Sequence, residues 1–227
     1  SIAALGPFSV DMYLPAMPAM AAEFGADIPT TQLTFSGYLF GFSIFHLFCG
    51  PLADRFGRRP ILLFGIALFV FASVGCAFSN SIHQVIFFRV LQGMGACVGP
   101  TMTRAIARDV FGADGAARAL SLVAMMMTLA PAVAPLFGGL MLHFFHWTSI
   151  FIFLAIYGSL IWFLINRHLQ ESLPVAQSIL PRVVFKNYSS LITNRTFISS
   201  SIVAAMMYSG LMIYLASSGF VYVQKMG

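Results

Sequence analysis

Charged side chains are scarce in this sequence: twelve Lys and Arg and seven Asp and Glu among 227 residues, or 8%. A soluble domain carries about 25%. With 59% hydrophobic residues and a mean hydropathy of +0.88, a water-soluble fold would leave most of its apolar surface uncovered. Cysteine is also rare. Cys49, Cys76 and Cys97 fall in three different apolar runs, which reads as buried free thiols and excludes a disulfide framework. No run alternates in polarity with period two, which excludes a transmembrane barrel. No ligand spacing suggests a metal site, no cofactor motif occurs, and no nucleophile–base pair appears within the apolar runs, so an enzyme is not expected. The basic residues are scattered rather than gathered on a patch, which argues against nucleic acid.

What the sequence does have is long apolar runs. Charge-free stretches cover Leu33–Ala53, Ile61–Phe78, Ala119–Leu142, Trp147–Ile165 and Thr196–Gln224. Ser1–Ala22 contains only Asp11, and Gln84–Thr103 only Arg89. A spanning helix needs about 20 such residues, so the sequence predicts seven helices and an all-α polytopic membrane protein. Short loops are expected at 25–31, 54–60, 79–83, 110–118 and 143–146. If the first helix runs outward, ten of the twelve basic residues gather on one side. That asymmetry makes the side cytoplasmic and places the amino terminus there. Asp11 and three prolines keep the first run from reading as a cleavable signal peptide.

The texture changes after the sixth run. Residues 1–166 read as a six-helix bundle, 167–195 as a polar, basic cytoplasmic linker, and 196–227 as a seventh helix. Many transporters consist of two six-helix halves, each made of two three-helix repeats. The expectation is therefore one half, a central linker and the start of a truncated second bundle.

Four strings stand out. The loop Gly50-Pro51-Leu52-Ala53-Asp54-Arg55-Phe56-Gly57-Arg58-Arg59-Pro60 must lie at the membrane surface, and Gly57 permits a tight reversal. Asp54 suits a helix N-terminus, and Arg58 suits a carboxylate such as Asp109. An ordinary basic hairpin would explain the arginines but not Gly, Asp, Gly and Arg-Arg at these intervals. In the fourth run, Arg89-Val90-Leu91-Gln92-Gly93-Met94-Gly95-Ala96 sets an arginine inside an apolar helix, with Gln92 one turn along the same face. Snorkelling to the interface is the alternative. In the fifth, Ala130-Pro131-Ala132-Val133-Ala134-Pro135-Leu136-Phe137-Gly138-Gly139 makes a kinked helix with a small-residue face, for which simple packing is the alternative. In the first, Asp11-Met12-Tyr13-Leu14-Pro15-Ala16-Met17-Pro18 puts a carboxyl roughly 18 Å deep, near the bilayer centre. Burial there favours the neutral form of a carboxyl group, as a proton carrier requires. A structural polar contact is the other reading.

The Gly50–Pro60 loop resembles the signature loop of the major facilitator superfamily. The Arg89 string is similar to the helix-four arginine motif of its proton-linked members, and Pro131–Gly139 to the antiporter motif of its drug exporters. The Asp11–Pro18 string, with Glu171-Ser172-Leu173-Pro174, resembles the Bcr/CflA group of drug resistance transporters. The resemblance implies a major facilitator fold in the bacterial inner membrane, monomeric when full length. It implies export of small lipophilic or cationic drugs against protons by alternating access. Asp11 would carry the proton under the bias of Arg89, loosely coupled rather than tightly paired. Gly50, Asp54, Arg55, Gly57, Arg58, Arg59 and Asp109 would form the cytoplasmic gate, and Pro131, Pro135, Gly138 and Gly139 the sealing helix. Tyr38, Gln92, Met125 and Tyr157 are expected to line a pliable drug pocket. A symporter or metabolite exporter of the same fold remains open, as does a truncated chain without transport of its own. His143 and His146, beside Trp147, read as an interfacial belt, and His46 as a satisfied polar residue.

Overall fold

A computed structural model describes residues 2–173 and 189–226, apart from the side chains of 113, 114, 211, 212 and 215–226. The chain divides into two compact units, Ser1–Ala176 and Gln177–Gly227. Every described element is helical, and among the described residues five helices are long and apolar enough to cross a membrane: Ile28–Phe56, Arg58–Ala77, Ile82–Gly112, Gly115–Phe144 and Thr148–His168. Phe40, Phe64, Phe71, Phe87 and Phe163 are exposed on these helices. In water such a surface would be a liability; in lipid it is the expected exterior.

The first run is not one helix. It breaks into a 3-10 turn (Ile2–Ala4), α1 (Leu5–Asp11), a second 3-10 turn (Leu14–Ala16) and α2 (Met17–Phe24). Pro15 and Pro18 explain the break, since each lacks an N–H and crowds the carbonyl four residues back. For Pro15 that carbonyl belongs to Asp11, where α1 stops. Gly25, at φ 57, caps α2 in the left-handed conformation.

α3 (Ile28–Phe56) starts at Asp27, whose carboxylate accepts from the Thr30 N–H at 3.2 Å. It ends at Gly57, whose φ of 102 disfavours any other residue. α4 (Arg58–Ala77) begins at the next residue. Ser81 caps α5 (Ile82–Ala96), which lies against both α3 and α4. Its contact with α3 is backbone to backbone. A Cβ on Gly41 would fall 2.0 Å from the Val90 carbonyl oxygen, and one on Gly93 2.0 Å from that of Tyr38. Small residues let membrane helices approach this closely.

α6 (Val98–Phe144) consists of two helical arms joined by a turn at Gly112. A loop was expected at 110–118; the reversal falls inside that range, at Gly112 (φ 65, ψ −174), between apolar helices that end at Gly112 and restart at Gly115. α7 (Thr148–His168) completes the first unit's helices.

In the second unit α8 (Arg195–Met226) covers the seventh apolar run. Asn194 precedes it and accepts from the Phe197 N–H at 3.2 Å. Of the linker expected at 167–195, residues 174–188, with Arg182 and Lys186, lie outside the described residues.

Candidate functional site

Arg89 is fully buried, on the stripe of α5 that also buries Val85, Gln92, Gly93 and Ala96. Among the described residues no carboxylate pairs with it. Its Nη1 donates to the Ser9 carbonyl at 3.1 Å and to Gln92 Oε1 at 2.7 Å. Gln92 Nε2 in turn donates to Ser73 Oγ on α4 at 2.8 Å, and Ser73 to the Phe69 carbonyl at 2.7 Å. The Nε and Nη2 atoms have no hydrogen-bond acceptor. Aromatic faces take that place: the guanidinium lies 4.2 Å from the Tyr13 ring centroid and 4.5 Å from that of Tyr38. Desolvated cation–π contacts contribute about 2 kcal/mol each. Tyr13 also bonds to Thr34, and Ser9 Oγ lies 2.7 Å from the Tyr38 hydroxyl.

Ser9 and Tyr13 stand two residues either side of Asp11. Arg89 therefore holds the broken first segment on both flanks of the carboxyl without pairing with it. Asp11 itself is 4% exposed. Gly138 reaches the same break from α6, and a Cβ there would fall 2.4 Å from the Met12 carbonyl oxygen. Gly139 has nothing within 4 Å of the equivalent position. Pro131 is exposed and Pro135 half-buried. Of the two glycines expected to act together, only Gly138 packs against this bundle. Gly138→Ala should lower the thermal midpoint of the purified full-length protein, by the ~1–3 kcal/mol typical of overpacking. Gly139→Ala should leave that midpoint unchanged or slightly raised. Equal effects in a melting experiment would remove the distinction.

The Gly57 end of the bundle gathers a second cluster. Arg58 pairs with Asp54 at 3.1 Å and with Asp109 at 3.0 Å. Arg59 Nη2 donates to the Asn166 carbonyl at 2.8 Å and its side-chain oxygen at 3.0 Å. Arg55 stacks on Phe56, and no neighbour stands within 4 Å of a Cβ on Gly50. The sequence reading missed Glu171 as a member. Its carboxylate accepts from the N–H groups of Arg58 (2.9 Å), Arg59 (3.2 Å), Ser172 (3.0 Å) and Leu173 (3.0 Å). Burial alone would raise its pKa, but the four amides outweigh it and hold the carboxyl below the ordinary glutamate value of 4.5.

The expected drug pocket divides. Tyr38 and Gln92 are fully buried and belong to the Arg89 network, so neither lines an open surface. Met125 is exposed. Tyr157 lies on an apolar groove of about 210 Å³ with Ala4, Phe8, Met126, Leu129, Ala130 and Val133. At the other end His146 pairs with Glu23 at 2.7 Å, and Trp147 Nε1 donates to the same carboxylate. His46 contacts Thr101. Among the described residues no group of three His, Cys, Asp or Glu side chains gathers to hold a metal.

Residues 1–227 match the family described as the Major Facilitator Superfamily. The chain is 37% identical over 225 residues to an MFS-type transporter, YdgK, of Bacillus subtilis, covering 97% of this chain and 56% of that protein. It is 34% identical to multidrug resistance protein MdtL of Escherichia coli (98% and 56% covered). It is 29% identical to a bicyclomycin resistance protein homolog of Haemophilus influenzae (96% and 56%). The chain thus spans about half the length of the curated relatives it matches. Among solved structures, the human organic anion transporter MFSD10 superposes with a TM-score of 0.59 at 19% identity, covering 76% of this chain and 47% of that one. At that identity the likeness speaks to the fold alone.

Proposed function

Since the chain belongs to the Major Facilitator Superfamily, we propose that it is the first bundle, linker and seventh helix of a drug exporter driven by proton antiport. Relatives named for multidrug and bicyclomycin resistance support drug as the cargo class. The Bcr/CflA-like strings support the same cargo. One observation carries the coupling: Arg89 grips the first segment at Ser9 and Tyr13, so the carboxyl between them sits in a buried stretch of chain held on both sides. Gain or loss of a proton at Asp11 changes the charge on the segment that Arg89 holds. The break at Pro15 gives that change something to move. On this reading the Gly57 end is cytoplasmic, and the Asp54–Arg58–Asp109 cluster closes it when the bundles rock.

The test is the direction of proton movement. Full-length protein in proteoliposomes, given ethidium as a lipophilic cationic probe, should move protons opposite to the dye. An imposed proton gradient should accelerate dye movement the other way. Protons and dye moving together would establish a symporter and overturn the reading.

A further inference from the structure

The sequence offers no role for Glu171, which stands 113 residues after the turn it touches. Yet its carboxylate fills the space left by the missing side chain of Gly57. A Cβ at that glycine would meet Glu171 Oε2 at 2.4 Å. The carboxylate bonds the first two N–H groups of α4, which an α-helix leaves without internal partners. It also sits at the positive end of that helix. The same side chain bonds the amides of Ser172 and Leu173, the residues that lead out of the bundle. Ser172 Oγ lies 3.5 Å from Asp109 Oδ2, the oxygen that receives Arg58. One carboxylate therefore fixes both the backbone of Arg58 and Arg59 and the exit of the chain from α7.

We propose that Glu171 is a positioning residue of the gate: seated against Gly57, it sets the turn that presents Arg58 to Asp54 and Asp109, and it fastens the start of the inter-bundle segment to that turn. The proposal rests on the gate reading above. Glu171 does not touch cargo; it acts through Arg58. Movement of the segment after α7 then reaches Arg58 through two short hydrogen-bonded steps.

The test uses the full-length transporter, with ethidium export and hydrogen exchange measured on the same preparations. Glu171→Ala should speed exchange at the Arg58 and Arg59 amides about fivefold, the size of a lost helix cap. Ethidium turnover should fall by about the same factor, with KM within about twofold of wild type, as for a residue acting after binding. Glu171→Gln keeps one acceptor oxygen and should fall between Ala and wild type on both measures, which also guards against a variant that fails to fold. Arg58→Ala should lose turnover as Glu171→Ala does. Faster exchange with unchanged turnover would reduce the contact to an ordinary helix cap and overturn the proposal. So would unchanged exchange, or faster exchange along all of α4 with Gln no better than Ala. Proton release per ethidium keeps the readings apart: its absence from wild type would overturn antiport while leaving the exchange and turnover results to decide Glu171.

Discussion

Asp11→Asn should abolish drug-induced proton release by the full-length transporter. Asparagine has the shape of a protonated aspartate and cannot titrate, so the variant is fixed in one state of the cycle. Asp11 is buried at the end of α1, with no cationic partner among the described residues. The substitution therefore removes a charge without breaking an ion pair, and the protein should fold. Binding of neutral drugs should stay within about threefold, while cationic drugs should bind about tenfold more weakly, a difference of about 1.4 kcal/mol. Proton release on ethidium addition to detergent-solubilised protein is the direct readout. Release of normal size from the variant would place the proton site elsewhere in the transporter and sink the mechanism.

Arg89→Lys should cost transport about tenfold or more, even though the charge is kept. A guanidinium is flat, and here it lies against Tyr13 and Tyr38 while Nη1 serves both Ser9 and Gln92. An ammonium is a compact, strongly hydrated point charge that cannot stack in this way. Loss of the flat contact should release the first segment on both sides of Asp11. The thermal midpoint should drop by several degrees, in line with ~2 kcal/mol lost from a buried charged hydrogen bond. Normal transport by the lysine variant would mean that charge alone matters at this position and that the stacked geometry does not.

Much of this arrangement is legible in the residues. A glycine between Asp54 and two arginines announces the reversal at Gly57. Pro15, four residues after Asp11, stands where α1 stops, although the run as a whole was expected to be one helix. An arginine in an apolar run announces a polar interior. What stayed hidden depends on distance along the chain. Arg89 binds a main-chain carbonyl, and every residue has one, so no pattern marks Ser9 as the acceptor. Glu171 caps a helix that begins 113 residues earlier, beyond any local capping signature. Tyr38 is expected at the cargo surface from its sequence, and only packing puts it over the guanidinium. The loop expected at 110–118 is shorter than its polarity suggests: the reversal takes place at Gly112, whose positive φ favours glycine.

The connections between helices differ at the two ends of the bundle. At one end α3 passes to α4 through Gly57 alone, and the long α6 turns at Gly112 alone. At the other, the chain takes residues 25–27, 78–81 and 145–147 to cross between helices. Consecutive Cα atoms are about 3.8 Å apart, so a one-residue joint has almost no slack and a three- or four-residue crossing has some. At Gly57, α3 and α4 therefore cannot part, and neither can the two arms of α6 at Gly112; each pair can only open like a pair of compasses, from its joint outward.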